Sequence, residues 1–455
     1  MTQVHVENAL TESGWQRDVL IGIEGRTIAS IQAGVAPPAS AERFAGAAVP
    51  GVANVHSHAF QRAMAGLAER RGPDDDDFWT WREVMYRFLA QLSPEDVEAI
   101  AALAYVEMLE AGFTAIGEFH YLHNAPDGAR YTDPAEMGGR IVAAAEATGI
   151  GLALLPSFYA HGGCGGRPPT AGQTRFLSNL DSFWTLLEAS RRHVAHLDGA
   201  VLGLAPHSLR AVDEPELAAL LKRWTEGPVH IHAAEQTREV EECLAWSGAR
   251  PVQWLLDNAD IDRRWCLIHC THMTDDESRR LAQSGAVAGL CPITEANLGD
   301  GIFEGQRYLD AGGRLAIGSD SNIRIALNEE LRTLEYGQRL RARRRNRLAP
   351  SQGMSIGRHL FDAARQGGAQ ALGLSSGALA VGKTADIVVL DLDHAALAAR
   401  SADSILDSWT FAAGDGVIRH VIAGGRAVVK DGTHIRRGEI SRRFAAAMQR
   451  LAHRI

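Results

Sequence analysis

Val-Pro-Gly-Val-Ala-Asn-Val-His-Ser-His, residues 49 to 58, decides how the rest of the chain is read. An apolar run of strand type ends there in two histidines one residue apart. Side chains i and i+2 of a strand point to the same face, so His56 and His58 can present both imidazoles to one ion while Ser57 points away. Neutral imidazole suits zinc, iron and related transition ions. Taken alone, such a pair equally suits two polar residues leaving a strand. The partners that arrive downstream decide between the two readings.

Moving outward, apolar runs alternate with stretches of helical spacing. Strands are predicted over 49–55, 114–118, 151–157, 200–205, 229–233, 265–269, 286–291 and 314–320, with helices over 94–111, 135–148, 183–196, 214–225, 237–246 and 274–284. Near-continuous apolar strands with crossover helices predict an α/β chain whose parallel strands are buried on both faces, a (β/α)8 TIM-like barrel. A doubly wound open sheet is the alternative, but no Gly-x-Gly-x-x-Gly follows the first strand. Upstream, 3–6, 18–24 and 27–32 are short alternating stretches, closed by a Pro/Ala/Ser linker near 36–41. Downstream come helical patterns at 328–345 and 357–372, then β texture at 386–392, 416–423 and 426–430, then an amphipathic helix at 441–452. The basic run 339–347 reads as a solvated helix end. Residues 1–48 and 376–455 are therefore assigned to one small β-sandwich domain built from both chain ends, the latter with the terminal helix, and residues 49–375 to the barrel.

Composition narrows the function classes. Of 455 residues, 46% are hydrophobic and 22% charged, which is ordinary for a globular chain with a sizeable core. A net charge of −9 argues against a nucleic-acid or membrane-surface binder, so an anionic substrate has to be held by local arginines. The first ten residues have no basic n-region followed by an apolar one, and no run is long enough to span a bilayer. The five cysteines (Cys164, Cys243, Cys266, Cys270, Cys291) are scattered and odd in number, which predicts buried thiols in a reduced, cytoplasmic protein.

Barrels of this kind carry their chemistry at the C-terminal ends of the strands. Strand one ends in His56 and His58, strand five in His232 with Glu235 three residues on, strand six in His269, and strand eight in Asp320. Either later histidine alone also fits a satisfied core position. Four histidines and two carboxylates at equivalent strand ends are hard to reconcile with accident. Three imidazoles and one carboxylate leave a water position on a zinc-like ion. Six candidates exceed one such site, which leaves Glu235 free for general acid/base work. Arg210 follows strand four and Arg82 lies in the long loop after strand one; an arginine fork binds carboxylates bidentately. Gln61, Tyr121 and His207 sit near strand ends and suit polar substrate groups. The acidic run 73–77 reads as a solvated loop tip near the site, and the Gly/Pro-rich 162–169 as a lid or a plain long loop.

His56-Ser57-His58, His232-x-x-Glu235, His269 and Asp320 together resemble the amidohydrolase superfamily, in particular its mononuclear aminohydrolases, over essentially the whole chain. Binuclear members carry a bridging carboxylated lysine, usually at the end of strand four; here Leu-Ala-Pro-His-Ser-Leu-Arg stands there, without lysine. His-Ser-His-Ala-Phe-Gln-Arg-Ala-Met-Ala-Gly-Leu from His56, Gly-Glu-Phe-His-Tyr-Leu-His-Asn from Gly117, Ala-Pro-His-Ser-Leu-Arg from Ala205 and Cys-Pro-Ile-Thr-Glu-Ala-Asn-Leu-Gly-Asp-Gly from Cys291 resemble the formimidoylglutamate deiminase family of histidine degradation. That resemblance implies one divalent metal, zinc, on His56, His58, His232 and Asp320. It implies that His269 orients a water, that Glu235 hands a proton to an imino nitrogen, and that Asp320 accepts the water's proton. The implied reaction is hydrolytic deamination of N-formimino-L-glutamate to N-formyl-L-glutamate and ammonia, by a protein with a small anionic substrate and a homodimeric assembly. A sister aminohydrolase acting on a purine, pterin or triazine ring is the alternative, for which Trp79 and Trp81 are the candidate stacking residues. A non-catalytic scaffold on the same fold is a further alternative.

Two motifs are declined. Gly377-Ala-Leu-Ala-Val-Gly382-Lys383-Thr384 matches a phosphate loop by letter, but a helix precedes it and strand-like residues follow, the reverse of what phosphate binding requires. Gly373-Leu-Ser375-Ser-Gly377 similarly lacks the strand-then-helix setting of a nucleophile elbow.

Overall fold

The structure, a computed structural model, describes residues 2–72 and 76–452. Its centre is a barrel of parallel strands: Val52–Ser57, Phe113–His120, Gly151–Phe158, a fourth broken into Val201–Leu202 and Ala205–Pro206, then Val229–Ala233, Trp265–His269, Val287–Leu290 and Arg314–Ile317. The barrel interior is filled by small apolar side chains, among them Ala53, Val55, Ala115, Ala153, Val287 and Ala316, which suit its narrow bore. Two seams close it. Leu204 bridges to Val229 and Ser208 to His232 on one side, and Ser57 bridges to Asp320 on the other. At the second seam the Asp320 N–H donates to His56 O at 2.9 Å, and the His58 N–H donates to Asp320 O at 3.0 Å. Closing the barrel therefore brings the first strand's histidines against the last strand's aspartate.

The helix Ile356–Ala371 covers that second seam, and two glycines let it approach the strands. A Cβ on Gly367 would lie 2.0 Å from Leu315 O, and one on Gly368 2.8 Å from Ala53 O. Both obstacles are strand backbone, which cannot rotate away. Gly367→Ala should therefore cost about 2–3 kcal/mol as an overpacking defect, read as a lower thermal midpoint than wild type. An unshifted midpoint would mean that the helix has slack against the barrel.

Both chain ends build the second sheet. Its order is Thr433–His434, Arg426–Lys430, Ile418–Ala423, Ile387–Leu390, Glu42–Pro50, Thr2–Thr11, Gly14–Glu24, Thr27–Gln32, so the two ends meet where Glu42–Pro50 pairs antiparallel with Ile387–Leu390. The path curls far enough for the Ile28 N–H to reach Lys383 O at 2.9 Å, enclosing Val6, Val19, Ile21, Phe44, Ile387 and Val389. The small domain is thus one curled sheet.

Several sequence readings are corrected. The run 49–55 spans two strands: Val49 and Pro50 pair with Val388 and Ile387 of the small sheet, and the barrel begins at Val52. The break falls at Gly51, where a Cβ would sit 2.2 Å from the Thr114 hydroxyl. Hydropathy does not reveal it, because the run stays apolar and buried throughout. Arg82 lies on a helix, Phe78–Leu89, whose first turn is capped by the Asp77 carboxylate accepting the Trp79 and Thr80 N–H groups. Helices Pro251–Asn258 and Asp403–Phe411 are also additional to the prediction. The tip of the 162–169 loop is pinned by hydrogen bonds between Gly162 N–H and Arg167 O and between Arg167 N–H and Gly163 O. Of the acidic run 73–77, residues 73–75 lie outside the described residues. All five cysteines are free and buried, and no described helix is long and apolar enough to cross a membrane.

Candidate active site

At the C-terminal mouth the backbone is held in unusual shapes. Ala234, His269, Cys270, Asp320 and Asn322 all have φ between 46° and 71°, the left-handed region that side chains other than glycine seldom occupy. These residues leave three different strands at the same rim, and such strain persists only where surrounding contacts impose it. Each turn re-aims a side chain, or its neighbour, into one space.

Four donor atoms converge there. His56 Nε2 lies 3.3 Å and His58 Nε2 3.5 Å from Asp320 Oδ1, and His232 Nε2 lies 3.2 Å from His56 Nε2. The His58 Nδ1–H donates to Phe119 O at 2.8 Å, and the His232 Nδ1–H to His207 O at 2.9 Å. With those protons committed, both rings turn an Nε2 lone pair to the centre, which is how outer hydrogen bonds set imidazole for metal ligation. Burial lowers all three imidazoles, His56 to about 3, so they are neutral as ligation requires. Burial alone would raise Asp320; the His56 hydrogen bond and the surrounding imidazoles instead hold it below the usual carboxylate range. The ligand atoms of His56, His58 and Asp320 lie within 4.8 Å of one another, as do those of His56, His232 and His269. Three imidazole nitrogens and one carboxylate oxygen in this arrangement fit a single divalent ion.

Beside this cluster is a chain of acids. His269 donates from Nδ1 to Glu295 Oε1 at 3.3 Å, and its Nε2 stands 3.6 Å from Glu235 Oε1 and 3.9 Å from Asp320 Oδ2. Burial depresses this ring, yet Glu235, Glu295 and Asp320 more than reverse the effect and raise it to about 10. Its Nε2 is buried without a hydrogen-bond partner, so it is available to a water or substrate. Glu235 Oε2 accepts from Arg210 at 3.1 Å. Glu239, buried one helical turn beyond, accepts the N–H groups of Ala234 and Glu235 at 3.2 and 2.9 Å, and so fixes the backbone that carries Glu235.

A small cleft opens onto the cluster. Gln61, Arg82, Tyr121, His207 and Arg210 all line it, together with His58, His232, Glu235 and Asp320. Gln61 donates to the Tyr121 hydroxyl at 2.9 Å, and His207 is set against Ser208 Oγ at 3.0 Å. The guanidinium of Arg82 makes no hydrogen bond or ion pair to any described residue, and its Nε is buried without a partner; Arg210 Nε is also unpartnered. The structure thus brings the site residues named from the sequence together, with His56 and His269 buried behind the lining residues, against Asp320, His232 and Glu235. Trp81 lines the cleft, whereas Trp79 does not.

Some contributors are not read from sequence as site residues. Glu295 and Glu239 act on His269 and Glu235 from behind. The signal for each is its spacing: Glu239 sits four residues after Glu235, and Glu295 four after Cys291, in the first turns of helices that follow strand ends. Phe78, Tyr86 and Tyr159 line the cleft from elements that sequence does not point toward it.

A family profile described as the amidohydrolase family matches residues 47–428, and one described as the formimidoylglutamate deiminase HutF N-terminal domain matches residues 1–45. The chain is 51% identical over 455 residues to a formimidoylglutamate deiminase of Pseudomonas aeruginosa, covering 99% of this chain and 100% of that protein. A crystal structure of an amidohydrolase from Brucella melitensis superposes with a TM-score of 0.95 at 50% identity, over 99% of this chain and 100% of that one. An adenosine deaminase from Xanthomonas campestris superposes with a TM-score of 0.82 over 99% of this chain and 98% of that one; at 20% identity it shares the fold alone.

Proposed function

Because the chain belongs to the amidohydrolase family, we propose that this site performs hydrolytic deamination of N-formimino-L-glutamate, giving N-formyl-L-glutamate and ammonia. The observation that carries the substrate is Arg82. A buried guanidinium nitrogen without a protein partner is costly unless a ligand supplies one, and Arg82 shares its cleft with a second arginine, Arg210. Two cations beside an acid and a His/Asp cluster suit a dicarboxylate that carries a reactive head group.

His56, His58, His232 and Asp320 would hold the ion, and the N3O donor set suits zinc. The chemistry that such an ion supplies when bound is a water acidic enough to be a nucleophile near neutral pH. The protein's own groups supply the rest. An amidine-like carbon is a poor electrophile until its nitrogen is protonated, and Glu235 stands beside the cluster to deliver that proton. Arg210 fixes Glu235 Oε2, which leaves Oε1 on the His269 side. His269 donates toward the attacking water from its free Nε2, while Asp320 takes the water's proton. Asp320 then passes the water's proton to the departing nitrogen, the C–N bond to that nitrogen breaks, ammonia leaves, and the remaining hydroxyl proton returns to Glu235, so that the formyl oxygen is that of the water.

Ammonia release should be readily measured on N-formimino-L-glutamate and be negligible on guanine and adenosine. It should disappear on exhaustive chelation and return with added zinc. Turnover of a purine in preference to the formimino compound, or full activity in metal-stripped protein, would overturn the reading.

A further inference from the structure

Helix Phe78–Leu89 brings Arg82 to the cleft from outside the barrel strands, so something must set the distance between Arg82 and the barrel's own Arg210. No carboxylate of the described residues pairs with Arg82, and one that did would compete with a substrate's carboxylate for the same N–H groups. Trp79 meets this need differently. The Arg82 Cζ lies 4.4 Å from its ring centroid, the Arg238 Cζ 4.4 Å and the Arg210 Cζ 5.9 Å. Arg82 comes from the helix of Trp79 itself, Arg210 follows strand four, and Arg238 lies on helix Thr237–Ser247 after the Glu235 loop. One indole therefore touches cations from three parts of the chain.

We propose that Trp79 is the positioning residue that sets the spacing of the two substrate-binding arginines, and with it the enzyme's preference for a dicarboxylate. The proposal rests on the substrate reading given above. An aromatic face attracts a guanidinium through its quadrupole and leaves the edge N–H donors free, which an ion pair does not. It also holds like charges near one another without neutralising either. Because Trp79 does not line the cleft, its effect reaches the substrate only through the arginines. It therefore governs binding and leaves the Glu235–His269–Asp320 chemistry alone.

The test compares wild type, W79L and W79F, with R82M and the W79L/R82M pair, by steady-state kinetics on N-formimino-L-glutamate and by competitive inhibition with glutarate. W79L should raise both KM and the glutarate inhibition constant about tenfold, with kcat within about twofold and bound metal unchanged. W79F, which keeps an aromatic face, should recover most of the loss. W79L should add much less on the R82M background than on wild type. An unchanged KM in W79L, a loss that W79F does not recover, or a fall carried by kcat would overturn the role of Trp79. Wild-type protein that releases no ammonia from N-formimino-L-glutamate would instead overturn the substrate reading, while direct binding of glutarate would still report on Trp79.

Discussion

Glu235→Gln is expected to reduce kcat by roughly 10²–10⁴ while the protein keeps its full complement of metal, because positioned acid/base groups contribute on that scale. The separation of the two readouts follows from geometry. Glu235 contributes no atom to the clusters formed by His56, His58, His232, His269 and Asp320, and its carboxylate meets Arg210 at 3.1 Å and His269 at 3.6 Å. A glutamine of the same shape can still accept from Arg210 through its carbonyl, so the cleft should survive and KM should move little. What it cannot do is give up a proton to an imino nitrogen. Metal analysis alongside single-turnover kinetics checks both halves. Wild-type turnover with full metal would remove Glu235 from the proton path, and loss of metal would place it among the ligands.

The same geometry explains what could and could not be read from the chain. His56, His58, His232, His269 and Asp320 are legible because each ends a predicted strand, and in a parallel barrel all such ends share one rim. Glu235 is legible through its three-residue offset from His232. Glu239 and Glu295 are harder to recognise because they act on backbone N–H groups and on a ring nitrogen from within following helices, where an acidic residue in the first turn is commonplace. The division of 49–55 between two sheets is invisible to hydropathy, since burial is continuous across Gly51. Trp79 shows a different limit. Sequence offers it as a stacking surface for an aromatic substrate, and only the fold reveals that arginines occupy its surroundings.

The outer carboxylates also account for a feature of the site that ligand geometry alone leaves unexplained. Glu239 fixes the N–H groups of Ala234 and Glu235 just where Ala234 adopts φ 53°, and Glu295 binds His269 where φ is 71°. Strain at Ala234 and His269 is thus opposed by buried hydrogen bonds to carboxylates, which are the stronger class. The site is held ready before substrate arrives, as electrostatic catalysis requires.

Arg82→Met and Arg210→Met should differ in kind, although both remove a cation from the same cleft. Arg82 has no hydrogen-bonding or ion-pair partner among the described residues, so its loss removes substrate binding and little else: KM should rise roughly 10–100-fold with kcat within a few-fold. Arg210 is partly committed, since it donates to Glu235 at 3.1 Å while its Nε has no partner. Burial alone would make its charge less favourable, and Glu239 and Glu235 more than reverse this and keep it protonated. Removing it strips one carboxylate anchor from the substrate and leaves two buried glutamates without their cation. Glu235 then loses the contact that orients it, so Arg210→Met should raise KM by a similar factor and also lower kcat by at least about tenfold. A substrate analogue with a single carboxylate should separate the two further, since whichever arginine faces the missing group loses its effect on KM with that analogue. If Arg82→Met left KM on N-formimino-L-glutamate unchanged, its unpartnered guanidinium would not be a carboxylate site. If Arg210→Met changed KM alone, its bond to Glu235 would carry no part of the proton transfer.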